Sequence, residues 1–157
     1  MQSLFQWIEQ SALGVSINES LYAFAVIESV HLIALAVIGG AVLIVDLRLL
    51  GLGLTRLPVP HVARTAQPWL IGSLIAIIAT GFPLFASLAA SKYYVNDAFW
   101  YKMYFLAAAA IFTFTVRQRV AMKEEAPAVS AFGKLTAVAS LVLWSGVGVM
   151  GRAIGFI

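Results

Sequence analysis

From Leu21 to Val45 the chain carries one carboxylate, Glu28, and one imidazole, His31, and every other side chain there is aliphatic, aromatic or small. Three further stretches share this character, from about Trp69 to Ala90, Phe99 to Val116 and Leu135 to Ile157. A helix needs about 20 largely apolar residues to cross the hydrocarbon core. In lipid only helices and closed barrels satisfy the backbone, and the alternating segments that mark a barrel strand are not seen. The chain therefore reads as all-α, a single integral membrane domain over residues 1–157 built as a four-transmembrane-helix bundle. Composition agrees: the chain is 62% apolar and 11% charged, with a mean hydropathy of +0.95, more apolar than a water-soluble core of this length can use. Ahead of the spans, "MQSLFQWIEQSALG" has no basic n-region and carries Glu9, unlike a cleavable signal peptide. Leu4, Phe5, Ile8 and Ala12 share one helical face beside Trp7, the pattern of a short N-terminal helix lying in the membrane interface.

The connections set the expected orientation. The first loop region holds Arg48, Arg56 and Arg64, and the third holds Arg117, Arg119, Lys123 and Lys134; the opposite side keeps Lys92, Lys102 and Arg152. Seven against three places the first and third loops in the cytoplasm and both termini outside it, in a multi-pass protein of the bacterial inner membrane. Tyr93, Tyr94, Trp100, Tyr101 and Tyr104 in the second loop fit an outer aromatic belt. "MKEEAPAV" in the third loop reads as a solvated turn. The net charge of +3 is split between short loops, not spread over a continuous face, so no nucleic-acid partner is expected. Without cysteine there are no disulfides and no thiolate sites. "LGLGL" at 50–54 follows a membrane helix and lacks the strand that would make it a phosphate cradle, and no Ser-His-Asp arrangement suggests a hydrolase.

Ionisable groups at membrane depth are costly and mark function or a partner. His31 lies 11 residues past Ser20 and 15 before Asp46, roughly 16 Å and 22 Å along a helix axis. Positions 28, 31, 35, 39, 42 and 46 form one stripe, so Glu28, His31, Gly39 and Asp46 are expected to face the bundle, with Gly39 and Gly40 admitting another helix or a flat ligand. Lys102, Arg152 and Met150 sit in the same half, as do Gly81 and Pro83, and a site bounded by Glu28, His31, Lys102 and Arg152 follows. The same residues also suit packing alone: Glu28 neutralising Arg152 or Lys102, His31 on a carbonyl, and both cations snorkelling to the interface. His61 reads as a loop or helix-start residue at the opposite interface. Asp46 and Arg48 read as an intrahelical or loop-locking ion pair.

A histidine early in a transmembrane helix, followed by "ALAVIGGAVLIVDLRLLG" and three more spans, resembles a bacterial four-helix membrane family. That family is similar in turn to the CopD-like copper-resistance proteins and, more remotely, to the membrane cytochromes b. The resemblance implies a b-type haem held by helix histidines and carries one position over: His31 as axial ligand to the haem iron. Dihaem members use two histidine pairs, so one intramembrane histidine leaves room for a single haem. Its sixth position is then open or taken by Met150, Met103 or a second protomer, with Arg152 and Lys102 suiting the propionates and Glu28 tuning potential or protonation. On this reading the protein carries electrons between a quinone or another membrane partner and an outer-side acceptor such as a redox protein. Two alternatives stand beside it. Glu28 and His31 form a half-site for a divalent metal, with copper the family-level suggestion. A small helical chain also suits a non-catalytic subunit, as a homo-oligomer or within a larger membrane complex. An electron carrier or binding subunit is expected in preference to a stand-alone enzyme.

Overall fold

The computed structural model describes residues 2–124 and 129–156. Two short helices, α1 (Gln2–Glu9) and α2 (Ala12–Asn18), precede four helices long and apolar enough to cross a membrane. The first is α3 (Leu21–Leu50) and the second α4 (Val59–Ser87). The third is α5 (Asp97–Phe112), carried through a π-helical turn (Thr113–Arg117) into α6 (Gln118–Lys123), and the fourth is α7 (Ala131–Ala153). A second π-helical turn, Ala89–Tyr93, links α4 to the third span. Among the described residues there is no strand.

Local chemistry sets the ends of these helices. Ser11, Ser20, Asn96 and Ser130 each accept a hydrogen bond from the N–H three residues on, the usual device for the unpaired donors of a first turn. Gly51, at φ 78°, stops α3: its N–H meets Arg48 O while that of Leu52 meets Leu47 O, a Schellman ending that wants glycine in the left-handed position. The first span runs on to Leu50 and the fourth covers Ala131–Ala153, each a turn or so from the expected bounds, and two boundaries differ by more. The second span starts ten residues before Trp69, at Val59, because Pro58 and Pro60 occupy the cap and first turn of α4, where a missing N–H costs nothing. The third continues to Lys123, past the expected end at Val116. Residues 125–128, in the "MKEEAPAV" turn, lie outside the described residues; Glu124 beside them accepts from the backbone and hydroxyl of Ser130.

Along the bundle α3 packs on α4 and on α7, and α5 packs on α7; the third span packs on α4 chiefly at its C-terminal segment, α6. Lipid supplies no hydrophobic drive between helices, so small side chains and close approach carry the association. Ala63, Ala66, Ala121 and Ala137 are buried in one core cluster, and Ala34 and Ala41 in the other. Gly146 takes the Phe105 ring of α5; a Cβ there would stand 2.5 Å from it. The N-terminal helices cover the end that carries both termini. Phe5 of α1 is buried against Phe85, Tyr94 and Trp100. The Glu9 carboxylate accepts from the N–H groups of Ala90 (2.5 Å) and Ser91 (2.9 Å). Leu4 and Trp7 point outward. Of the aromatic residues expected in a belt, Tyr101 and Tyr104 are exposed, while Tyr93 and Trp100 turn into the Phe5 cluster.

Candidate functional site

His31 projects from α3 toward α4, half-buried, with Nδ1 2.8 Å from Thr80 Oγ1. Thr80 has a single hydroxyl hydrogen, and it is committed to Ala76 O at 2.6 Å, a back-bond along its own helix. Thr80 therefore accepts, and His31 donates from Nδ1. In the neutral imidazole this leaves Nε2 as the nitrogen with the free lone pair. Gly81 makes the approach possible, since a Cβ there would come within 3.2 Å of His31 Cε1. Lys102 of α5 is half-buried and close enough to His31 for their charges to interact. Its stem lies along α7 at Gly151, where a Cβ would stand 3.8 Å from Nζ. Among the described residues Lys102 makes no salt bridge. The structure thus leaves one ring nitrogen of His31 with a free lone pair and the Lys102 side chain within electrostatic range of the ring.

The other expected site residues lie farther out. Glu28 is exposed, and its charge is felt at Tyr93 beyond the membrane-spanning helices. Burial, and secondarily the Glu28 carboxylate, hold the Tyr93 hydroxyl above the ordinary tyrosine range. Arg152 is exposed and stacks over Phe156 at 4.4 Å. Met150 is half-buried on α7, and Met103 is exposed. Gly39 and Gly40 are exposed, and a Cβ at either would meet nothing within 4 Å, so no helix of this chain uses them. Among the described residues no three His, Cys, Asp or Glu side chains cluster as metal ligands. His61 is the third residue of α4, exposed, at the far end of the bundle from His31. Nothing in the sequence singles out Thr80; a threonine in an apolar helix four residues after an alanine carries little signal until the histidine opposite it is known.

At the Arg-rich end the structure holds a second polar group. Asp46 and Arg117 are buried, with exposures of 0% and 1%, and Arg117 Nε donates to Asp46 Oδ1 at 2.5 Å. Arg117 also donates to Val42 O at 2.8 Å. The other Asp46 oxygen and the Ser140 hydroxyl are buried side by side. This corrects the expected Asp46–Arg48 pair: residues two apart on a helix point to different faces. Arg48 instead donates from Nε to Leu57 O at 2.7 Å, locking the 51–58 connection by a hydrogen bond. Arg117, expected in a loop, turns inward through the π-helical turn, which shifts the register of the third span. Trp144 Nε1 secures the start of that turn on Thr113 Oγ1 at 3.1 Å.

Residues 4–157 match the family described as "Family of unknown function (DUF6644)", and the chain belongs to it. No curated protein and no solved structure matches the chain.

Proposed function

We propose that this DUF6644 member is a bacterial inner-membrane haem-b protein in electron transfer, with His31 Nε2 as the axial ligand. The observation that carries the reading is the hydrogen bonding of His31. Metal-bound histidines are held by a partner on the second ring nitrogen, which fixes tautomer and orientation, and Thr80 is such a partner. The neighbouring Lys102 ammonium has no acid of its own among the described residues, which suits a propionate. Haem supplies a one-electron couple whose potential the axial ligands and their surroundings set. Thr80 holds the imidazole in place, Gly81 lets it lie against α4, and Lys102 offsets negative charge at the membrane's outer boundary. The charge asymmetry of the loops supports cytoplasmic placement of the Arg-rich end, with His31 toward the outer side. A quinone and an outer-side redox protein are the electron partners this placement suits.

Absorption spectra of the detergent-purified protein, oxidised and reduced, test the reading. After expression with ample haem a Soret band is expected, and its absence refutes the proposal. His31→Ala should abolish the band and His61→Ala should retain it. A band unchanged in His31→Ala removes the ligand assignment.

A further inference from the structure

On the outside of the α3–α4 pair two depressions, of about 340 and 320 Å³, meet at Val37 and Trp69, which line both. Together they reach along α3 from Ile44 to Val30, ~21 Å of helix. They are open because Gly40 and Gly72 line them without side chains, and nothing of this chain lies within 4 Å of where a Cβ would stand. The trough is apolar along most of its length. Its polar end is the Arg-rich one, lined by His61 and Thr65. There the connection between two lining residues, Leu54 and Leu57, carries Arg56, and Arg64 follows His61 by three residues. Both arginines are exposed and neither is in a salt bridge among the described residues. The nearby acid of α3, Asp46, is buried and already paired with Arg117.

We propose that this trough is a binding site for an anionic phospholipid, one acyl chain lying along it and the phosphate held at His61, Arg56 and Arg64. Two features favour a lipid chain over a helix of a second copy. Trp69 is 65% exposed and stands between the depressions, so a straight helix would ride on the indole while a flexible chain passes beside it. The cations lie at one end only, as a headgroup requires and an apolar helix does not. Basic clusters beside membrane helices recruit anionic lipids in this way. The site is independent of any ligand at His31.

The test is native mass spectrometry of the purified full chain, titrated with phosphatidylglycerol or with phosphatidylcholine of the same acyl chains. The anionic lipid should bind at a concentration on the order of tenfold lower. Arg56→Gln with Arg64→Gln should erase that preference. Gly40→Leu and Gly72→Leu, which extend into the trough from positions where a Cβ has nothing of this chain within 4 Å, should weaken binding of both lipids several-fold. Equal binding of the two lipids by the unmodified protein overturns the proposal, as does a preference that survives the arginine changes. Conversion of a dimer to a monomer by Gly40→Leu, with lipid binding unaltered, would assign the trough to a second copy instead. Should the glycine variants fail to fold, the arginine variants still decide.

Discussion

At one end of α3 Asp46 has a buried arginine on its carboxylate and a buried serine beside it; fifteen residues away, His31 has a hydrogen bond on one ring nitrogen and a free lone pair on the other. The same helix presents both, ~22 Å apart. The Asp46–Arg117 group is buried: opposite charges in contact and a carbonyl for one further guanidinium N–H, with Asp46 Oδ2 and Ser140 Oγ left without a hydrogen bond among the described residues. Such a pair ties the first span to the third across the bundle. The His31–Lys102 group is left open, with an unshared acceptor and an ammonium that lacks an acid among the described residues.

Substitutions can break this contrast. The largest effect is expected from Arg117→Ala, which strands a buried carboxylate and should cost about 3–5 kcal/mol in reversible unfolding from mixed micelles. Replacing both partners with apolar residues, Asp46→Leu with Arg117→Met, should restore most of that loss. A small loss in the single variant would show that the pair is not structural. His31→Ala in the ligand-free protein should cost only about 1 kcal/mol, one hydrogen bond, while abolishing the Soret band. A loss as large as that of Arg117→Ala would make His31 a packing residue and dissolve the comparison.

Thr80→Val sharpens it further. The isosteric change removes the acceptor for Nδ1–H, at a cost of about 1 kcal/mol. Nitrogen-15 NMR of labelled histidine, at about pH 8 where an ordinary imidazole is neutral, should show His31 protonated on Nδ1 in the unmodified protein and a tautomer mixture in the variant. No change in the spectrum would mean that Thr80 does not orient the ring. The smallest effect concerns Tyr93. Its raised pKa means the folded state keeps the phenol proton more tightly than the unfolded chain. The corresponding stability is present below the ordinary tyrosine value near 10 and is lost as pH rises through the Tyr93 value. Glu28→Gln should lower the Tyr93 midpoint in an ultraviolet titration without bringing it fully to the ordinary value, because burial is the larger cause. An unmoved midpoint would place the Glu28 carboxylate out of reach of the ring.

How much of this could be read in advance varies residue by residue. His31, Leu35, Val42 and Asp46 of the expected stripe are half-buried or buried, but Glu28 and Gly39 on the same stripe are exposed. A periodicity gives the stripe's angle on the helix, while the neighbours decide how wide the covered arc is at each level, and α4 and α7 cover α3 unevenly. Pro58 and Pro60 look like loop residues because proline lacks the N–H a helix interior needs, yet each is also compatible with a first turn. Arg117 looks like a loop cation because "VRQRV" follows the third long apolar run, and no composition signals the π-helical turn that swings it inward.

Four apolar runs and the rule that backbone in lipid must bond to itself determined the helical form of this chain, with four helices able to span a membrane, from its sequence alone. Partners were beyond it. Which acid meets which base, which hydroxyl turns the imidazole, and which glycines meet a side chain or an empty trough all depend on the rotation and spacing of helices far apart in sequence. Only packing sets those. Arg117 reaches Asp46 across 71 residues of chain and Thr80 reaches His31 across 49, because helix faces, and not neighbours in sequence, decide what touches.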